Sequence, residues 1–291
     1  MKFKQITIIG VGLLGGSFAL AMRERGHVDK IVGVSRRLSS AKKALELGVI
    51  DEVSDDIQAA VKEADLILIA TPMLSMQAVL EQIVDNVSTD CLITDVGSVK
   101  QSLIDLVSDK FSQLLPQFVF AHPIAGGEQS GAEAARSNLF DGKHLILAET
   151  QHTETRFVEL SKSLWKCLGA NIVEMSAKEH DETFAYTSHL PHVVAYALVN
   201  NLHQHENNQQ YFEFASAGFY DFTRIASSDP VMWRDICLSN KQEVLASVRN
   251  FSVQLSRLER AIETHDADVL KEIFNDAKQA RDEGLIIKQR K

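Results

Sequence analysis

Gly10-Val11-Gly12-Leu13-Leu14-Gly15 lies between a β-branched apolar run, Gln5–Ile9, and a helical pattern that continues through Arg25. A glycine motif of this spacing carries weight only when a strand precedes it and a helix follows, as here. Gly10 permits the tight turn, Gly12 lets the backbone approach a pyrophosphate, and Gly15 lets helix and strand pack closely. The helix start then presents unpaired N–H groups and a positive dipole end to phosphates. Gly10, Gly12, Leu13, Leu14 and Gly15 are therefore the expected cofactor contacts. A glycine-rich turn without a ligand is the plainer alternative.

Outward from this stretch the strand signature recurs at Lys30–Val34, Asp65–Ala70, Cys91–Thr94, Phe118–Ala121 and His144–Ala148. Helical segments such as Leu74–Val84 separate these runs. Short buried strands alternating with helices predict crossover units and a mostly parallel sheet. The pattern stops near Ile172–Met175, and from Ala177 onward only long helical periodicities remain. The expected class is α/β, with a Rossmann-type dinucleotide-binding domain over 1–172. An all-helical substrate and dimerisation domain over 173–291 packs on it. The apolar positions of those late helices exceed what one small domain can bury, so a homodimer is expected.

Composition narrows the function. Hydrophobic residues make up 45% and charged residues 24% of the 291, which argues against disorder. A net charge of −9 provides no basic face for nucleic acid. It does not exclude a small anionic substrate, because one or two arginines can hold a carboxylate. Cys91, Cys167 and Cys237 lie far apart without metal-type spacing and read as free thiols in a reducing compartment. No leader or membrane span is expected from the short first apolar run, so the expected location is the cytoplasm.

Val34-Ser35-Arg36-Arg37 ends the second strand, where an NAD enzyme usually carries an acid for the ribose 2′-hydroxyl. Guanidinium groups instead suit a 2′-phosphate. Ser35, Arg36 and Arg37 thus point to NADP, with NAD as the alternative if the arginines are merely solvated at a helix start.

Two segments just past strands suggest chemistry. Asp95-Val96-Gly97-Ser98-Val99-Lys100 and Ala121-His122-Pro123-Ile124-Ala125-Gly126-Gly127 both fall where open α/β sheets bind ligands. His122, fixed by a strand end and a proline, has the residue type and position of a general base, although it could simply cap the strand. Ser98 could orient the imidazole or a substrate hydroxyl, or serve only as an N-cap. In the helical half, Ser188-His189-Leu190-Pro191-His192 carries a proline that frees backbone groups. Asp221, Arg224 and Trp233 follow in Gly218–Trp233. Alone, Trp233 reads as core, and Asp221 with Arg224 as an i, i+3 pair. With His122, these residues and the two histidines suit a carboxylated ring.

Taken together, the strings Gly10–Ser17, Asp95–Lys100, His122–Gly126, Ser188–His192 and Asp221–Trp233 resemble the prephenate/arogenate dehydrogenase family. The resemblance implies NAD(P)-dependent oxidative decarboxylation on the route to tyrosine, in a cleft between a dinucleotide domain and a dimerising helical domain. It implies that His122 takes the hydroxyl proton and that Ser98 orients His122 and the nicotinamide. Arg224 would hold the substrate carboxylate, and His192 would lie on the substrate side. His189, Trp233 and Asp221 would give support. Two departures stand out: Ser35 replaces the acid of NAD-using members, and the end at Lys291 leaves no room for a fused regulatory or mutase domain. Glu128 reads either as partner to a substrate ammonium, as in arogenate, or as a solvated carboxylate. Another two-domain hydroxy-acid dehydrogenase and a non-catalytic NADP sensor are the competing readings. The first typically needs a lysine base that no motif here suggests. The second would bind cofactor without turnover.

Overall fold

A computed structural model describes residues 1–127, 129–148 and 151–289, so Glu128 lies outside the described residues. Strand β1 (Phe3–Ile9) leads into helix α1 (Leu13–Glu24), and β2 (Val28–Val34) into α2 (Leu38–Glu46). Next come β3 (Glu52–Ser54), α3 (Ile57–Lys62), β4 (Leu66–Ile69), α4 (Met76–Ile83), β5 (Leu92–Asp95), α5 (Gln101–Lys110) and β6 (Phe118–Pro123). The alternation ends with β7 (His144–Ala148), α6 (Thr155–Cys167) and β8 (Asn171–Met175). Among the described residues seven α-helices follow: α7 (Ala177–Phe184), α8 (Leu190–His203), α9 (Asn208–Phe214), α10 (Ala217–Thr223), α11 (Pro230–Ser239), α12 (Lys241–Glu263) and α13 (Ala267–Gln289).

The strands form one sheet in the order β3-β2-β1-β4-β5-β6-β7-β8. From β3 to β6 every pairing is parallel, β7 runs antiparallel to β6, and β8 is parallel to β7. The mostly parallel, Rossmann-type arrangement expected from the sequence is present. Two strands extend it. β3 is a three-residue strand at one edge, with Glu52 exposed, and its apolar signal is faint. β8 lies at the opposite edge and buries its residues only in part.

Side chains alternate across the pleat, which divides the core between the two faces of the sheet. Ile6, Ile8, Leu66, Leu68 and Leu92 pack with Phe18 and Met22 of α1 and Trp165 of α6. Ile9, Ile67, Ile69 and Ile93 pack on the opposite face with Val61, Leu80 and Leu103 of α3, α4 and α5. Trp233 and Ile236 of α11 join that second face. Helices up to α11 accordingly belong to the same compact unit as the sheet, Met1–Glu243. A second unit, Val244–Lys291, holds most of α12 together with α13. These two helices are joined through His265, whose φ is 53°. They leave Val253, Ile262, Phe274 and Ile287 each at least 60% exposed. Among the described residues no helix is long and apolar enough to cross a membrane, and all three cysteines are free.

The closest approach in the first crossover lies at the glycine turn. Gly10 sits at φ 104°, and a Cβ there would meet the Ala70 carbonyl oxygen at 2.4 Å. A Cβ on Gly15 would lie 2.2 Å from the Gly10 oxygen and 3.0 Å from Ile8 Cγ2. Neither neighbour is the loose end of a flexible chain, so the backbone must move. Gly15→Ala is expected to cost about 1–3 kcal/mol by overpacking. In a chain of this size that lowers the melting temperature by roughly 2–4 °C per kcal/mol. Calorimetry showing an unchanged Tm would mean that β1 and α1 do not approach this closely.

Candidate active site

Because β1 to β6 are parallel, their carboxyl ends share one edge, and ligands of open α/β sheets bind outside that edge. The Gly10 N–H donates to Val34 O at 2.8 Å, which joins the glycine turn to the end of β2. Gly12 caps α1, and nothing lies within 4 Å of where its Cβ would stand. That open space before a twelve-residue helix, with its free first-turn N–H groups, fits a dinucleotide pyrophosphate. Leu13 and Leu14 pack their side chains against the core, so what they can offer a ligand is backbone. At the end of β2, Ser35 is half-buried and Arg36 and Arg37 are exposed. Among the described residues neither arginine is held in an ion pair.

At the end of β5 the network becomes fully buried. Asp95 and Lys100 are both 0% exposed and form an ion pair. Asp95 also accepts from Gly97 N at 2.7 Å and Ala121 N at 3.0 Å. Lys100 Nζ donates a further bond to Ala121 O at 2.8 Å. Burial pulls the Lys100 pKa down, opposed by the attraction of Asp95 and then Asp181. The pair thus grips both backbone groups of Ala121, the residue before His122. Lys100 is fully buried, with Nζ bonded to Asp95 and to the Ala121 carbonyl, and holds the backbone before His122 in place.

Helix α7 supplies the next layer. Asp181 accepts from Lys100 N and Gln101 N, each at 2.9 Å, and so caps α5 from another element. Its Oδ1 is also 2.7 Å from His180 Nδ1. His180 Nε2 in turn lies 2.7 Å from His122 Nδ1. The rings of His122 and Phe184 meet edge to face at 5.0 Å, and Phe184 also covers His180 at 4.6 Å. Burial lowers the pKa of His122 well below 6.5, aided by the nearby His180, Lys100 and His189. His180 is lowered too, chiefly by burial, although Asp181 pulls the other way. Ser98 is half-buried, and among the described residues no hydrogen bond joins it to His122.

Past α7, Ala185–His189 forms a π-helical turn, and Pro191 takes the second position of α8. Pro191 has no N–H for the carbonyl one α-turn back, so the backbone widens there. His189 is 1% exposed, its Nδ1 lies 3.2 Å from Asn240 Nδ2, and burial lowers its pKa to about 4. His192 is half-buried, and its Nδ1 is engaged by Ser188 O at 2.8 Å. Its ring stacks on Trp233 at 3.5 Å between centroids, and His189 approaches the same indole edgewise at 6.1 Å. Asp221 and Arg224 are exposed at the end of α10 and the start of the 3-10 turn Arg224–Ser227. The segment that follows Arg224 is tied to α8 by Tyr196 Oη, which donates to Ser228 O at 2.6 Å.

The structure therefore brings His122 beside His180, and groups His189, His192 and Trp233. The glycine turn and Ser35–Arg37 share the adjoining sheet edge. Sequence reasoning missed His180, Asp181 and Asn240. Asp95 and Lys100 were noticed only as the ends of a motif. The usable signal was an aspartate ending a buried strand, with a lysine five residues on at the start of the next helix.

Comparison with known proteins agrees with this arrangement. The family model described as prephenate dehydrogenase, nucleotide-binding domain, matches residues 18–174, and the corresponding dimerization-domain model matches residues 176–276. A prephenate dehydrogenase of Bacillus subtilis is 41% identical over 290 residues, 98% of this chain and 77% of that protein. A cyclohexadienyl dehydrogenase of Zymomonas mobilis is 36% identical, with 96% of this chain and 95% of that protein covered. The crystal structure of A. aeolicus prephenate dehydrogenase with hydroxyphenyl propionate and NAD+ superposes with a TM-score of 0.89 at 37% identity. That alignment covers 97% of this chain and 99% of the other. With a dinucleotide turn, a sheltered histidine at the sheet edge and both halves matched, the chain belongs to the prephenate dehydrogenase family.

Proposed function

We propose that this site oxidises and decarboxylates prephenate, or its amino counterpart arogenate, with NADP preferred over NAD. The observation that carries the reading is His122, set on the sheet's carboxyl edge with Nδ1 engaged by His180 and Nε2 left for a substrate hydroxyl. When bound, the nicotinamide supplies the hydride acceptor. Oxidation of the ring carbinol leaves a conjugated ketone, and departure of the ring carboxylate as CO₂ restores aromaticity. The protein's part is to orient the ring and accept one proton. His122 accepts it. Ser98 offers its hydroxyl to the substrate or the nicotinamide, while Arg224 holds a substrate carboxylate with its planar fork. His192 and Trp233 present a stacked platform to the ring, with His189 and Asp221 in support. We assign cofactor binding to 1–172 and substrate binding with dimerisation to 173–291, working in the cytoplasm.

Substitutions at two positions separate these roles. His122→Asn should lower kcat by about 10²–10⁴-fold with little change in KM. Arg224→Ala should mainly raise substrate KM, and Arg224→Lys should do so less, because the charge remains while the fork is lost. Burial keeps His122 neutral below its ordinary 6.5. The base form thus persists into mildly acid solution, and kcat/KM should stay level down to about pH 6.5 and fall only below it. If both variants lost stability equally while the folded fraction kept normal kinetics, the assignment would be wrong.

The cofactor preference rests on Ser35, half-buried where an acid would bind a 2′-hydroxyl, and on two exposed arginines beside it. KM for NADP should be lower than for NAD, and Arg36→Ala should narrow the gap. Equal or better use of NAD by the unaltered enzyme would reject the preference. The bound NAD+ of the A. aeolicus relative makes that comparison informative.

Dimerisation rests on the exposed apolar positions of α12 and α13 and on the match to a dimerization-domain family. Light scattering at micromolar concentration should give twice the 32.3 kDa chain mass. A monomer mass under those conditions would rule it out.

A further inference from the structure

We propose that His180 and Asp181 form a positioning relay that fixes the tautomer of His122 and shares the charge it gains on accepting a proton. The inference rests on the reading of His122 as the base. The argument is one of donors and acceptors. Asp181 accepts Lys100 N and Gln101 N, both at 2.9 Å, so its carboxylate faces donors. A carboxylate can only accept, so the 2.7 Å contact to His180 requires the proton on His180 Nδ1. In a neutral imidazole the other nitrogen is then an acceptor. The 2.7 Å contact from His180 Nε2 to His122 is satisfied only if His122 Nδ1 carries the proton. His122 Nε2 is left with its lone pair, as a base requires.

The relay is locked from both ends. The Asp181 backbone carbonyl accepts from Asn240 Nδ2 at 2.8 Å, which holds that turn of α7. Phe184 packs against both rings, at 5.0 Å from His122 and 4.6 Å from His180, and His180 is fully buried. The charged and titratable groups around the pair are Asp181 on its own helix, Lys100 and Asp95 from the β5 end, and His189 beyond the π turn. Lys100 opposes protonation of either ring, whereas Asp181 favours it on His180. A proton that reaches His122 Nε2 makes an imidazolium whose Nδ1–H points to a neutral acceptor backed by a carboxylate. That is the logic by which a buried aspartate orients a catalytic histidine in hydrolases, here with one more ring in the chain.

Three proteins test it: the unaltered enzyme, His180→Gln and His180→Phe. Glutamine can still place an acceptor oxygen against His122 Nδ1, whereas phenylalanine fills the space with no acceptor. His180→Phe should lower kcat by roughly a hundredfold, within the range for general-base help, with substrate KM little changed. His180→Gln should recover most of that loss. Independently of turnover, ¹⁵N NMR of histidine-labelled protein should show His122 protonated at Nδ1 in the unaltered enzyme and in His180→Gln. If His180→Phe fails to fold, the NMR and the Gln variant still decide the matter. Nε2–H on His122 in the unaltered enzyme, full activity in a folded His180→Phe, or equal losses in both variants would each overturn the relay. Oxidation of prephenate by the unaltered enzyme and its loss in His122→Asn test the parent reading separately.

Discussion

Asp95 and Lys100 are buried side by side at the end of β5, and the geometry of the site depends on that pair. Its net stabilising value over two well-packed apolar residues is small, because both charges leave water. Removal of either partner is another matter, since a lone buried charge costs about 3–5 kcal/mol. What the pair provides is position. Through Ala121 N and O it fixes the backbone that carries His122, and through Gly97 N it shapes the loop that carries Ser98. Through the Lys100 amide it also meets Asp181, so β5, β6, α5 and α7 converge on one small volume.

The histidines in that volume are kept neutral by the same exclusion of water. His122, His180 and His189 all have lowered pKa values with burial as the leading cause. Neutral imidazoles give a site of directional donors and acceptors without an accumulation of positive charge. A base in such surroundings is ready at neutral pH. The cost is a weak thermodynamic pull on the proton, and a relay ending in a carboxylate offsets it.

The sheet was legible because buried parallel strands are written as continuous apolar runs, and Leu66–Ile69, buried throughout, shows this well. β3 was not, since three residues at an edge, one exposed and two half-buried, carry little hydrophobic pattern. The position of His122 was legible from the strand end and Pro123. Its partner was not. His180 and Asp181 sit among Lys178, Glu179 and Glu182, a run that reads as a solvated helix face. Only tertiary contact, 58 residues away in sequence, gives them a role. Ser98 reads as orienting the imidazole or a substrate hydroxyl, or as an N-cap; the ring's Nδ1 is engaged by His180. Trp233 belongs to the core, as it reads alone, and its face carries His192.

The π turn explains how one helical run can serve both sides of the site. At 3.6 residues per turn, the nine residues from His180 to His189 would place them roughly 180° apart, on opposite faces. The wide turn at Ala185–His189 absorbs about one extra residue, which reduces the separation to roughly 80°. Both rings can then be buried, His180 at 0% and His189 at 1% exposure. Asn240 binds the Asp181 carbonyl and lies against His189 Nδ1, so it bridges the two sides of the turn. Three residues later His192 emerges half-buried onto Trp233. Pro191 is the sequence feature behind this geometry, because its missing N–H removes one regular α bond and makes the wider turn less costly.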